Sequence, residues 1–126
     1  MNIPADLKYT HDHEWVRVEG STGTIGVTDH AQKELNDIVF VDIDSGLAEI
    51  TKGSQFGSLE AVKTVGELFA PVSGKVIEVN AALKDKPELI NTDPYGEGWM
   101  IKVEITDLSD LDSLMDSEAY AKHLGQ

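Results

Sequence analysis

The sequence predicts a mainly β fold, a barrel or sandwich of short strands with small helices attached. Two observations carry that prediction. Most apolar residues fall in short alternating or β-branched runs, the period of strands rather than helices. Gly, Pro and Asn punctuate those runs and supply the turns a many-stranded fold requires. A third observation marks the exception. After residue 107 the pattern changes to helical spacing, so helices close the chain.

The elements follow in order. Trp15, Val16, Arg17, Val18 and Glu19 alternate apolar and polar and stop at Gly20, a strand with its terminator. Residues 24–27 are a second short strand. Asp29 reads as a helix N-cap, with Gln32 three residues on to complete the box, so a short helix is expected over 30–35. Residues 38–43 are apolar and β-branched, the signature of a buried strand. Segments 53–60 and 67–70 flank a turn around 61–66, and 76–79 and 100–105 are two more strands. Leu108, Leu111, Leu114 and Met115 recur at helical spacing. Ser117 reads as the cap of a last helix through Leu124, ended by Gly125. The expected core comprises Trp15, Ile25, Val27, Val39, Val41, Val62, Val76, Val79, Ile101, Val103 and Ile105.

One domain is expected over 1–126, with its core at about 15–105 and a helical extension at about 107–124. At this size about two-thirds of the unfolded chain's surface is buried on folding, enough for a core without staples. A faint echo at an offset of 51 relates Gly23, Ile25, Asp29, Ala31 and Lys33 to Gly74, Val76, Asn80, Ala82 and Lys84. If it reflects structure, it predicts two similar half-sheets with an exposed hairpin between them.

Composition removes several functions. The chain has no cysteine, which excludes a disulfide scaffold, a thiolate zinc site and a thiol nucleophile of its own. Ten Lys and Arg stand against 23 Asp and Glu, a net charge of −13. That balance argues against nucleic acid and against an anionic membrane surface. Residues 1–8 hold no basic patch followed by an apolar stretch, and the longest strongly apolar run, 38–41, is too short to span a membrane. A cytoplasmic protein is expected, with a processed mitochondrial form left open.

The segment with chemical content is 57–67. Lys63 sits between Val62 and Thr64, Gly57 and Gly66 flank it, and Glu60 precedes it by three residues. Pro71 and Gly74 follow in a punctuated turn. A lone lysine at a hairpin tip is usually a solvated charge. The combination of turn, acid and Pro-x-x-Gly is the pattern of lipoyl and biotinyl attachment domains. Biotinyl domains usually place methionine on both sides of the lysine, and Val62 and Thr64 stand here, so lipoyl is favoured.

Further stretches extend the likeness along the whole chain. They are Leu7-Lys8-Tyr9, His13-Glu14-Trp15, Gly26 through Gln32 (GVTDHAQ), Val39-Phe40-Val41-Asp42, Glu60-Ala61-Val62-Lys63, Ala70-Pro71-Val72-Ser73-Gly74, Pro87 through Asn91 (PELIN), Asp93-Pro94-Tyr95 and Gly98-Trp99-Met100. In order and spacing they resemble the glycine cleavage H-protein family. That family usually reads Glu-Ser-Val-Lys-Ala at the modified lysine; Ala61 and Thr64 stand at the two variable places here.

The resemblance implies a flattened β-barrel sandwich of the lipoyl/biotinyl type, a barrel-sandwich hybrid. It implies lipoic acid in amide linkage on Lys63, and a role for Glu60 and Val62 in recognition by lipoylating enzymes. It implies a carrier that catalyses nothing itself. A pyridoxal-phosphate glycine decarboxylase passes an aminomethyl group to the lipoyl arm, a tetrahydrofolate-dependent aminomethyltransferase collects it, and a dihydrolipoyl dehydrogenase using FAD and NAD reoxidises the dithiol. The five-membered disulfide ring is held far from the relaxed dihedral and opens readily. In the family the loaded arm folds into a cleft. Glu14 and Glu67 match the acidic positions there, with Asp12 a further candidate. A carrier that must release each partner is expected to be monomeric when free. An H-like protein acting mainly as a lipoyl donor to other complexes has a similar core sequence and is the nearest alternative.

Other motifs carry less. His11 and His13 would share a strand face, but two ligands do not close a metal site, so no functional metal is expected, and His13 is expected to fix the structure around Trp15. Asp112-Ser113-Leu114 matches the phosphopantetheine tripeptide of acyl carriers, yet those are helical bundles with the serine well before the end. No Gly-x-Ser-x-Gly elbow or dinucleotide glycine loop is present, so no catalytic residue is assigned. A binding module without any cofactor is the remaining bland reading.

Overall fold

In the computed structural model, which describes residues 1–125, the strands form two antiparallel sheets. The larger runs in the order β1 (Lys8–Tyr9), β2 (Glu14–Glu19), β3 (Thr22–Val27), β9 (Ile101–Ile105), β8 (Gly74–Val79) and β5 (Glu49–Ile50). The smaller comprises β4 (Ile38–Asp42), β6 (Gln55–Ala61) and β7 (Val65–Phe69), in that order. Helices α1 (Asp29–Leu35), α2 (Ala82–Asp85) and α3 (Leu89–Thr92) fill the connections. A 3-10 turn, Leu108–Ser113, and α4 (Ser117–His123) follow the last strand.

The two sheets share one core because their inward residues alternate with outward polar ones. Val16, Ile25, Ile101 and Val103 of the larger sheet pack in one cluster with Ile38, Leu59 and Leu68 of the smaller. Trp15 belongs to a second cluster with Leu7, Tyr9 and Tyr120. Its indole N–H donates to the carbonyls of Val27 and Pro94, both at 3.0 Å. Gly26 lies against that ring: a Cβ there would fall 2.6 Å from the indole carbons, so no larger residue fits. The Tyr9 and Tyr120 rings stack at 4.7 Å. Paired backbone bonds of 2.8 Å between Tyr9 and Met115 hold the end of the chain to β1.

Several expectations change. The cap of α1 is Thr28, whose side chain accepts from Ala31 N; Asp29 is the first helical residue and accepts from Gln32 Nε2 at 2.8 Å. The cap of α4 is Asp116 rather than Ser117, accepting from Ala119 N at 2.8 Å. In both cases two adjacent side chains could cap, and the earlier one holds the extended backbone of a cap and accepts the hydrogen bond. The spacing of Leu108, Leu111 and Leu114 yields a 3-10 turn with Leu108 exposed. The segment at 38–43 is not a buried strand: Val39 is 53% exposed and Phe40 47%. The register of β4 on β6 shifts between Ile38 and Phe40, which breaks the two-residue alternation and turns both side chains outward. Val62 is likewise outside the core at 69% exposed, because it sits in the turn itself. Val41, Val76 and Val79 are only partly buried. The segments at 23–33 and 74–84 are each a strand leading to a short helix, but their strands flank β9 within one sheet rather than lying in separate halves.

Candidate functional site

The β6–β7 hairpin closes with Ala61 N donating to Thr64 O at 2.8 Å, so Val62 and Lys63 are its two turn residues. Neither takes a positive φ. Val62 N donates to Asp37 O at 3.1 Å and ties the tip to the start of β4. Lys63 is exposed. Glu60, half-buried, faces Val65 across the hairpin.

A cleft of about 410 Å³ opens beside the hairpin. One wall is the turn bearing Asp12, His13 and Glu14; a second is α1 with His30, Ala31, Glu34 and Leu35; the smaller sheet adds Leu59, Gly66, Glu67 and Leu68. Glu14, Glu67 and Asp12 therefore meet in one cavity whose remaining wall is largely apolar. Glu60, Val62 and Lys63 lie outside its lining. Glu67 is four residues from Lys63, about 13 Å along an extended strand.

Local structure sets the acidic wall. Thr10 Oγ1 accepts from Asp12 N and Glu14 N, at 3.2 and 3.1 Å, and His13 takes φ +67° to complete the turn. Glu14 is 1% exposed. Its Oε1 accepts from the Thr10 hydroxyl at 3.1 Å, and its Oε2 from Phe69 N at 2.9 Å. The second bond fastens β7 to β2, the strand that pairs with β3 beneath the cleft. Burial pushes the carboxyl up to about 8, with the nearby Asp12 charge adding to it and the two hydrogen bonds opposing it.

Sequence reasoning missed what surrounds His13. Its ring lies 4.4 Å from His30 and 6.0 Å from His123, and His11 lies 6.5 Å from His123, so all four histidines gather at this end of the cleft. His13 Nδ1 is 2.9 Å from the hydroxyl of Tyr120, which packs in the same cluster as Trp15. Among the described residues, no group of three or more His, Asp or Glu side chains is placed to hold a metal ion. No periodicity links positions 13, 30, 120 and 123; only the folded chain brings them together.

The model of the family described as "Glycine cleavage H-protein" matches residues 7–126. The chain belongs to the glycine cleavage H-protein family. Similar proteins include the glycine cleavage system H proteins of Staphylococcus saprophyticus, 54% identical, and Staphylococcus haemolyticus, 53% identical, each over the full length of both chains. The crystal structure of a glycine cleavage system H protein from Mycobacterium marinum superposes with a TM-score of 0.89 at 37% identity, covering 98% of this chain and all of that one. Members of the H-protein family are the lipoyl carriers of the glycine cleavage system, and the two packed sheets are the lipoyl-type β-sandwich. Among the described residues no helix is long and apolar enough to cross a membrane.

Proposed function

We propose that Lys63 is the lipoyl attachment residue and that the cleft lined by Glu14, Glu67 and Asp12 receives the loaded arm. The observation that carries this reading is one of placement. An exposed lysine with no hydrogen bond or ion pair among the described residues stands on a two-residue turn, and the strand leaving that turn runs directly into an acidic cavity. The residues fit the group. A flexible amine at an accessible tip suits amide formation, which removes its charge. The apolar wall of Val27, Leu35, Leu59 and Leu68 suits an acyl chain and its ring. When attached, the lipoyl disulfide supplies the sulfur that takes up the aminomethyl cargo.

The chain's own residues do the rest. Glu60 and Val62, beside the lysine, present the hairpin to lipoylating enzymes. Glu14 is held largely neutral while the cleft is empty. An ammonium beside it favours the ionised form, so the carboxyl releases its proton to solvent as the cation arrives and accepts a charge-assisted hydrogen bond in return. Closure around the cargo withholds water. The protein serves as a non-catalytic, cytoplasmic carrier, visited by glycine decarboxylase, the tetrahydrofolate-dependent aminomethyltransferase and dihydrolipoyl dehydrogenase.

The test is the mass of the peptide containing Lys63 after incubation with lipoate, ATP and a lipoate ligase. A lipoyl adduct on Lys63, absent from Lys63→Arg, is expected. An adduct on another residue, or an unmodified wild-type chain, overturns the assignment.

A further inference from the structure

We infer that Tyr120 is a positioning residue: its hydroxyl, oriented by Thr28, holds the His13 imidazole uncharged, with its proton on Nε2, in the wall of a cleft built to receive a cation. The inference rests, for its functional half, on the cleft reading above.

The hydrogen bonds leave one consistent order. Thr28 and Tyr120 are fully buried. Thr28 Oγ1 already accepts from Ala31 N at 3.3 Å as the cap of α1. The Tyr120 hydroxyl lies 2.8 Å from Thr28 Oγ1 and 2.9 Å from His13 Nδ1. If Thr28 donates to Tyr120, and Tyr120 donates to Nδ1, both hydroxyl protons have an acceptor. If Nδ1 instead carried a proton, the chain would reverse. Thr28 would then accept from both Tyr120 and Ala31, and its own hydroxyl proton would be buried without a partner, an arrangement folded proteins avoid. The favoured order therefore needs a lone pair on Nδ1, which is the neutral Nε2–H tautomer.

The surroundings agree with that state. The groups facing the ring are His30 and Glu34 on α1, His123 on α4, and Asp12 on its own turn; burial and the two neighbouring histidines lower its proton affinity, against the two carboxylates. Tyr120 is in turn immobilised by its stack on Tyr9. An imidazolium at this wall would repel an incoming ammonium and compete for Glu14 and Asp12. The C-terminal helix, which contributes nothing to the cleft lining, thus acts on it through the Tyr120 hydroxyl and, at longer range, the His123 ring.

The experiment uses Tyr120→Phe in the full chain, without lipoate, and reads the ring nitrogens of His13 by 15N NMR across pH 5–8. In the wild type, Nδ1 is expected to give the signal of an unprotonated nitrogen and Nε2 that of a protonated one. In the variant the tautomers should mix and the His13 midpoint should rise by about 0.7 unit, a fivefold change in proton affinity for one lost hydrogen bond. Thr28→Val, which frees the Tyr120 hydroxyl to donate or accept, should also let the tautomers mix, with a smaller rise in midpoint, should the first variant fail to fold, and Thr28→Ser should keep the wild-type signals. Unchanged His13 tautomer and midpoint in both Tyr120→Phe and Thr28→Val overturn the inference. In the lipoylated, glycine-loaded protein, Tyr120→Phe should lose its cargo faster at pH 6, by up to about fivefold, and converge on the wild type above pH 8. Faster loss by the same factor at every pH would mark a general loosening and overturn the positioning role. Unchanged loss in Glu14→Ala, alongside shifted His13 signals in Tyr120→Phe, would sink the cleft reading while leaving the tautomer assignment standing.

Discussion

The hairpin tip and the cleft beside it are built on opposite terms. The tip is local: one two-residue turn, fixed by the β6–β7 register and a single bond to Asp37 O, with Val62 and Lys63 both exposed. The cleft is assembled from segments far apart in sequence, and its central acid is 1% exposed. Under the function proposed above, the difference follows from what each would do. A residue that several enzymes would reach has to stand clear of the fold. A group that would shelter a hydrolysable cargo has to be dry, and dryness requires walls that no single segment supplies.

Chemical denaturation across pH 5–9 tests that contrast most strongly. The Glu14 carboxyl is raised in the folded state from an ordinary value near 4.5 to about 8. Between those values the native chain binds more protons at this site than the unfolded one, so stability falls as pH rises and levels off above about 8. The loss attributable to Glu14 is of order 3–5 kcal/mol. His13, lowered by burial and by His30 and His123, contributes the opposite slope at low pH, where the unfolded chain binds the extra proton. The difference between wild type and Glu14→Gln cancels that term. It should show a wild-type decline across pH 5–8 that the variant lacks; parallel curves would remove Glu14 from the buried, neutral state.

A smaller effect is expected on cargo retention. Glu14→Ala removes the carboxylate that would face the ammonium, and a charge-assisted hydrogen bond is worth about 1.5–3 kcal/mol, so release of the aminomethyl group from the loaded protein should quicken at least about tenfold. Lipoylation of Lys63 should be unaffected, because Glu14 is no part of the hairpin. Equal release rates in variant and wild type would separate the acid from the cargo.

The smallest effect lies at the tip and on the exposed face of β4. Val39→Ser and Val62→Ser change side chains that are 53% and 69% exposed, and each should cost less than about 0.5 kcal/mol in thermal or chemical unfolding. Val103→Ala, at a fully buried position, should cost roughly 1–3 kcal/mol. Comparable losses at all three would mean that the exposed face of the smaller sheet is covered in solution.

The two regions also differ in how far they were legible. The hairpin could be read directly, since a turn is a property of consecutive residues, though the turn expected over 61–66 tightens to Val62 and Lys63, with Ala61 in β6 and Gly66 in β7. Glu14, Glu67 and Asp12 were reachable only through resemblance to a family, because nothing in the spacing of positions 12, 14 and 67 says that they share a cavity. Tyr120 and the gathered histidines escaped both routes. Val39 and Phe40 are exposed for a comparable reason: hydrophobicity reports a tendency, while a bulge against β6 decides which way each side chain faces. At both helix starts a neighbouring polar residue took the cap that local pattern had given to Asp29 and Ser117.

What the sequence determined by itself is what short-range physics encodes. Strand and turn positions follow from alternation and punctuation, the absence of thiol chemistry follows from the missing cysteine, and the acidic surface follows from a net charge of −13. The tertiary structure alone decided which acids face one another, which strands are edges, and that the last helix reaches back to His13. Those outcomes depend on contacts between residues far apart in sequence, 55 positions for Glu14 and Phe69 and 107 for His13 and Tyr120, where the free energy of packing, rather than the preference of any local segment, selects among the arrangements the chain could take.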